Sequence, residues 1–566
     1  MDFQKLADLF EELEATASGN KMREILSLFF KKVPPDDMAM VAYLTLGRIA
    51  SEYEDVVLGM AEMSVLKAIS TASGIELSKV KKLMQETGDV GLTAEKMLQK
   101  KPQTLVPLGK LTVQELFQKL HKITTLTGTG SQEAKTNTLA TLLQKATDKG
   151  AKYLTRIALG TLRMGVGDMT VLDSLAIAYT GEKKNKELLE RAYNICPDVG
   201  IIAETIAKKG LPGIEKIEAK VGRPIKMMLA QRVKALEEIE EKIPGTFAVE
   251  GKYDGERVQA HKTKGKITLF SRRLDDTTSQ FPDIVEYLGK NLAAAEFIIE
   301  GEIVAVGEKG KYAAFQILMQ RRRKENIAEY VKKVPVELKI FDLLYLNGQS
   351  LLDKPYQERT DKLKKILTKN KQITLADRID TDDLQELNKF FKEMLEIGHE
   401  GVIVKDPNSP YLAGTRGWNW IKWKKEYEKE MIDTFDLVIV GAFYGRGKRS
   451  GTYGALLCAS YNKKEDTFET VCKLGTGLTD EVLNELPKML SKHKVDKKPS
   501  RVVINKEMEP EVWFEPAVVV EVLAAEITKS PFHSLGLALR FPRFVRFREK
   551  TAEQATTSKE IKEMYK

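Results

Sequence analysis

At 566 residues the chain exceeds what one hydrophobic core supports, and at roughly 150 residues per domain it should hold three or four domains. Apolar residues make up 42% and charged residues 30%, with 39 Gly and 19 Pro, which excludes disordered, collagen-like and fibrous classes. The 90 Lys and Arg against 81 Asp and Glu leave a net charge of +9, an excess that suits a polyanionic partner without demanding one.

The three cysteines, Cys196, Cys458 and Cys472, are too few and too scattered for a disulfide framework or a four-cysteine zinc module, and they predict a reducing compartment. Cys458 and Cys472 fall on facing strands of a predicted hairpin and read as small buried apolar residues. The opening residues, Met1 to Leu6, are acidic and amphipathic, unlike a secretory leader. The longest apolar run, Ala517 to Ile527, is broken by Glu521 and Glu526 and is too short to cross a bilayer. A soluble, cytoplasmic protein with no membrane partner is expected.

In chain order, residues 1 to about 220 carry apolar side chains at helical spacing, as in Leu6, Leu9, Phe10 and Leu13, or Leu139, Leu142, Leu143 and Ala146. The stretch Thr127 to Thr136 is glycine-rich, but Ala134 stands where a Walker loop needs Gly, and a helix precedes it instead of a strand. It is a helix start that either caps the helix or holds a phosphate on its free N–H groups. Past Arg223-Pro224 the period changes to alternation. Phe247 to Glu250, Lys266 to Ser271, Phe297 to Val306, Val336 to Leu346 and Gly401 to Lys405 read as strands, with a helix over Asp383 to Ile397. That pattern predicts an α+β domain. Beyond Glu430, short strands (Leu437 to Tyr444, Ala455 to Tyr461, Thr467 to Lys473, Ala517 to Ala525) and Gly-rich turns predict a small all-β barrel. A capping box, Thr557 to Glu560, opens a terminal helix.

The chemistry centres on Glu250-Gly251-Lys252-Tyr253-Asp254-Gly255-Glu256-Arg257, where one strand ends and the next begins, so that Lys252 is held and aimed. A lysine with the usual pKa near 10.4 offers a neutral amine in about one molecule per thousand or fewer at pH 7, and nearby cations would raise that fraction. In Trp420-Ile421-Lys422-Trp423-Lys424 the two lysines share one strand face and form a phosphate clamp. Singly, each lysine is more readily read as a solvated surface charge.

Together the segments resemble, in order, the motif series of the covalent nucleotidyltransferases, and in particular the ATP-dependent DNA ligases of the archaeal and eukaryotic replicative type. The series runs from Lys252-Tyr253-Asp254-Gly255-Glu256-Arg257 through Phe270-Ser271-Arg272 to Phe297–Ala305. It continues with Phe341-Asp342-Leu343-Leu344-Tyr345, Glu400–Lys405 and the Lys422/Lys424 strand. Gly130 to Lys135, Ala151 to Leu154 and Leu162 to Val166 look like the ligases' helical DNA-binding domain, and Arg540 to Phe544 like the end of their barrel. The resemblance implies a helical DNA-binding domain over 1–220, an adenylation domain over 221–428 and an OB-fold barrel with a terminal helix over 429–566. It implies a monomer, associated with the nucleoid, that seals nicks in duplex DNA during replication, repair and recombination. Lys252 would attack the α-phosphate of ATP, AMP would pass to the 5′-phosphate of the nick, and the 3′-hydroxyl would displace it. Glu250 would read the adenine amino group and Phe341 stack on the ring. Arg257 and Arg272 would hold the ribose and the nick 5′-phosphate, Lys422 and Lys424 the phosphates. Glu302 and Glu400 would handle the ribose and Mg²⁺, with Mn²⁺ as an alternative metal; such a site of cations and carboxylates suits phosphoryl transfer.

One departure stands out. The C-terminal motif Arg-x-Asp-Lys is one residue short, Arg548-Glu549-Lys550, so Arg548 and Lys550 are carried over as pyrophosphate-orienting residues of a motif without its Asp. Basic groups at Arg321–Lys324, at Arg446, Lys448 and Arg449, and at Arg540, Arg543, Arg546 and Arg548 are expected on DNA backbone phosphates. The segment Gln103 to Pro107 lies where archaeal relatives place a sliding-clamp peptide, although its aromatic pair is absent. The alternatives are an RNA ligase or capping-type nucleotidyltransferase, which the long helical N-terminal part argues against, and a non-catalytic DNA-binding scaffold, which the intact set of Lys252, Glu302, Glu400 and Lys422 argues against.

Overall fold

The computed structural model describes residues 1–16, 18–99, 109–162, 164–233, 235–307, 312–313, 315–321, 327–368, 370–424, 433–445 and 452–565. The chain divides into two compact units, Met1–Lys424 and Lys425–Lys566. The first half of unit one is helical, from Phe3–Glu14 to Val199–Glu215. The first helix shows why: Asp2 caps it by accepting from the Gln4 N–H, and Leu6, Leu9, Phe10 and Leu13 are all buried, the apolar stripe that holds an amphipathic helix on its neighbours. The glycine-rich stretch ends in the helix Ser131–Lys145 with Gly130 as a left-handed N-cap, and Lys135 turns inward, its Nζ donating to the Leu58 carbonyl at 3.0 Å.

The rest of unit one is built on two sheets. The first contains β1 (Leu229–Arg232), β2 (Phe247–Lys252), β9 (Arg378–Thr381), β10 (Gly401–Lys405) and β11 (Arg416–Lys424), in the order β1-β11-β10-β2-β9. The second contains β3 (Glu256–Thr263), β4 (Lys266–Ser271), β5 (Phe297–Ala305), β6 (Val336–Leu346) and β7 (Gln349–Ser350), in the order β4-β3-β5-β6-β7, with β8 (Ile373–Leu375) beside β6. The chain crosses from the first sheet to the second in the three residues 253–255. Gly255 makes that crossing tight: a Cβ there would lie 2.2 Å from the Ile303 carbonyl oxygen and 2.9 Å from Glu302 Cγ, so only glycine lets the turn sit on β5.

Unit two is a curled sheet around its own core. Its long first strand, β12 (Asp433–Tyr444), pairs along one side with β13 (Tyr453–Asn462), and β13 pairs with β14 (Thr467–Leu474). On the other side β12 pairs first with the strand Val519–Ala524 and then with Val512–Phe514, and Val519–Ala524 in turn carries Arg543–Arg548. Cys458 and Cys472 face one another across β13 and β14 as free, buried thiols. The almost all-strand expectation needs one correction, the helix Asp480–Ser491, whose Leu483, Leu486 and Leu490 are buried. The terminal helix Ser558–Met564 has the expected capping box between Thr557 and Glu560. Among the described residues, no helix is long and apolar enough to cross a membrane.

Candidate active site

Strand register assembles the site. Antiparallel pairing aligns Lys252, Gly401 and Lys424 across β2, β10 and β11, and two residues along it aligns Glu250, Ile403 and Lys422. Strand alternation puts these on one face while Ile421, Trp423, Val402 and Val404 are buried on the other. Gly401 occupies the middle of the first rung with φ +149°, and a Cβ there would lie 2.2 Å from the Trp423 carbonyl oxygen. The rung therefore has no central side chain, and the preceding residue, Glu400, fills the gap. Its Oε2 lies 2.5 Å from Lys252 Nζ and 2.7 Å from Lys424 Nζ.

This geometry corrects the expectation that Lys252 is ringed by cations: the group in contact with it is a carboxylate. Burial pushes the Glu400 carboxyl upward, but Lys252 and Lys424 outweigh it and hold the group below its usual range. Lys422 is pushed down, by burial and then by Arg416, Lys424 and Lys252. Glu302, opposite Arg257 across β3 and β5, is raised to about 7 by burial, with Lys252 and Arg257 pulling it down and Glu400 and Asp254 pushing it up. Asp254 is raised as well, mainly by burial, while accepting the Phe315 N–H at 3.1 Å.

These groups line one cleft of about 560 Å³ between the sheets, shared by Glu250, Lys252, Arg257, Arg272, Glu302, Phe341, Glu400 and Lys422. Lys424 joins them through Glu400. Within the cleft Glu250 is buried, its Oε2 paired with Lys405 Nζ at 2.6 Å and its Oε1 bonded by the Tyr356 hydroxyl. Phe341 meets Trp420 edge to face, with centroids 6.1 Å apart. The Arg257 guanidinium pairs with Glu300 at 2.7 Å and donates to the Met228 carbonyl at 2.8 Å; burial disfavours its charge, but Glu300 more than restores it. Arg272 is exposed at the mouth.

The remaining expectations fare differently. Arg321 is no phosphate contact: it is buried, bidentate to Asp283 at 2.8 and 2.9 Å, and donates to the Val334 carbonyl. Residues 322–324, 446–449 and 103–107, and with them two basic clusters and the Gln103 clamp segment, lie outside the described residues. Arg548 and Lys550 belong to unit two, where both pair with Asp436 of β12, at 3.3 and 2.6 Å, so a carboxylate from another strand meets the motif that lacks its own Asp. Arg546 pairs with Glu521, whereas Arg540 and Arg543 are exposed. Sequence reasoning assigned no role to Lys405, Tyr356, Asp254 or Arg416. The first was visible as the third member of the alternating set Gly401, Ile403, Lys405, and the last as the opening residue of the Lys422 strand.

A cleft that combines cations, carboxylates and aromatic rings has the composition of a nucleotide-handling site, and it falls within residues 227–424, matched by the family model described as ATP dependent DNA ligase domain. Residues 2–176 match the DNA ligase N terminus and 449–551 the ATP dependent DNA ligase C terminal region. The chain is 46% identical to DNA ligase 2 of Thermofilum pendens, over 100% of this chain and 97% of that one. It is 45% identical to DNA ligase 1 of Methanosarcina mazei, over 100% and 99%. A solved structure named Pmar-Lig_PreS3 shares the fold at a TM-score of 0.55, with 18% identity, over 96% of this chain and 99% of that one. The chain belongs to the ATP-dependent DNA ligase family, and its activity is the sealing of nicks in DNA.

Proposed function

We propose that sealing starts with self-adenylation at Lys252. Nζ attacks the α-phosphorus of ATP, the N–P bond forms as the bond to the bridging oxygen of the β-phosphate breaks, and pyrophosphate leaves. Starting from the ammonium paired with Glu400, Nζ sheds one proton before it attacks and a second as the N–P bond forms, both passing through Glu400 to water. The AMP then moves to the 5′-phosphate of the nick, and the 3′-hydroxyl expels it as the phosphodiester forms. The observation that carries the reading is the Lys252–Glu400–Lys424 bridge, which fixes one amine at the crossing between sheets with a proton acceptor in contact. Phe341 and Glu250 mark the base end, and Arg257 the ribose. Arg272, Lys422 and Lys424 surround the phosphates, and for Arg548 and Lys550 we keep the pyrophosphate-orienting role that their motif implies.

The donor set fits a hard divalent cation. Burial raises Glu302 and Asp254, and the neighbouring Glu400 carboxylate adds to both shifts; a cation bound there would offset this cost. Among the described residues, no group of three or more His, Cys, Asp or Glu forms a ready-made metal cage, which accords with Mg²⁺, an ion held by one or two carboxylates plus phosphates and water. Glu302 and Glu400 would hold it, and Mn²⁺ would substitute; bound there, it would neutralise charge on the triphosphate. We read 1–220 as the DNA-binding part, 221–428 as the adenylation part and 429–566 as an OB-fold.

The test is incubation with α-labelled ATP and Mg²⁺ followed by denaturing electrophoresis. Label is expected on the wild type and absent from Lys252→Ala; label on both, or on neither, overturns the assignment.

A further inference from the structure

The base end of the cleft contains an ionic arrangement that the reaction itself does not require. Lys405 is 2% exposed and its ammonium sits 2.6 Å from Glu250 Oε2. The same ammonium lies over three aromatic rings, 4.4 Å from the centroid of Trp420, 4.5 Å from Tyr356 and 4.6 Å from Phe341. Tyr356, itself buried, donates to the other Glu250 oxygen, and Lys405 Nζ is 3.3 Å from the Tyr356 hydroxyl oxygen. A buried lysine loses charge readily unless it is compensated. Here burial pushes Lys405 down, while Glu250 and then Asp342 pull it back. Three ring faces and one carboxylate form a socket built for a cation.

We propose that Lys405 is a positioning residue that sets which purine the cleft accepts, by holding Glu250 in its ionised, acceptor-only form. This rests on the reading of the cleft as an ATP site. An ionised carboxylate offers roughly four acceptor directions and no donor. Lys405 and Tyr356 engage one on each oxygen, which leaves acceptors only for the nucleotide. A 6-aminopurine donates an N–H to such a group. A 6-oxopurine presents a carbonyl oxygen in the same place, which meets the carboxylate acceptor to acceptor and leaves both buried and unpaired. Without the ammonium, Glu250 would be a buried carboxylate with no cation in contact, Arg378 acting on it only across the β2–β9 pairing, and it would more readily take up a proton. A protonated carboxyl carries an O–H donor that suits the 6-oxo group. Removing a charge that touches neither phosphate nor Lys252 therefore changes base selectivity rather than chemistry.

The experiment measures labelled adduct formation on the full-length enzyme with ATP and with ITP, which differs from ATP in its 6-oxo group and the associated N1 proton. The wild type is compared with Lys405→Met, Lys405→Gln and Lys405→Arg. The ATP-to-ITP ratio of kcat/KM should fall at least tenfold in the Met and Gln variants, mainly through a weaker KM for ATP and a gain with ITP, and Lys405→Arg should restore most of it. A uniform drop with both nucleotides at an unchanged ratio would show that Lys405 only supports the fold, and would overturn the proposal. Should Lys405→Met fail to fold by circular dichroism, the Gln and Arg pair decides, since Gln keeps a donor and loses the charge. Absence of adduct on the wild type would instead overturn the nucleotide reading of the cleft.

Discussion

Glu302 and Glu400 attend the same lysine but hold protons on opposite terms. Glu400 has two ammonium partners and stays ionised, whereas Glu302 is half-buried near two other carboxylates and is raised from 4.5 to about 7. The native chain therefore keeps a proton that the unfolded chain releases between these two values, so this group's contribution to stability falls as pH rises through that window. Without divalent cation, Glu302→Gln should gain stability over the wild type as pH climbs from 4.5 to 7, seen as a growing difference in urea midpoints. Added Mg²⁺ should shrink that difference by binding the ionised carboxylate. Arg321 carries a second expectation at this scale. It is buried and bidentate to Asp283, so Arg321→Ala should cost about 3–5 kcal/mol in denaturant unfolding and leave the salt dependence of DNA binding unchanged. Residue types and their order made Lys252, Glu302, Glu400 and Lys422 legible in the sequence. The partner of each charge was not, because Glu400 bridging Lys252 and Lys424, or Asp283 capturing Arg321, depends on tertiary placement that spacing does not encode.

Among the elements, β10 carries the most constraint per residue. Gly401 must leave its rung empty for Glu400 to reach both lysines, and it adopts a backbone conformation that side chains avoid. Gly401→Ala should cost at least the roughly 1–3 kcal/mol of such backbone strain, and it should lower adduct formation at Lys252 further than the stability loss explains, measured by single-turnover labelling below the unfolding midpoint. This strand and others were readable from alternation; Lys266–Ser271, Val336–Leu346 and Gly401–Lys405 fall within the bounds that periodicity alone predicts. The helix Asp480–Ser491 was not, and its sequence explains why. Pro487 stands inside it, and an interior proline removes a hydrogen-bond donor and ordinarily ends a helix. Burial of Leu483, Leu486 and Leu490 overrides that local signal, as tertiary packing commonly does.

For the whole molecule, the net charge of +9 and a duty to seal nicks in any sequence context predict binding through phosphates. Affinity for nicked DNA should fall linearly on a log–log salt plot, by about 0.9 in slope for each phosphate neutralised; a flat response in a fluorescence titration would contradict it. Arg540→Ala and Arg543→Ala, at exposed positions, are expected to reduce that slope. The peptide leading from the helices into the sheets is tied to the cleft by an unbroken polar chain. Gln259 accepts the Ile225 N–H at 2.7 Å and donates to Glu300 at 3.1 Å, Glu300 holds Arg257 at 2.7 Å, and Tyr411 joins Glu300 to the Met228 N–H. The connecting peptide is thus part of the arginine's mounting. A substitution in it that leaves the helices and both sheets intact would register as poorer nucleotide capture, so a survey that scored such variants by folding alone would pass them as silent.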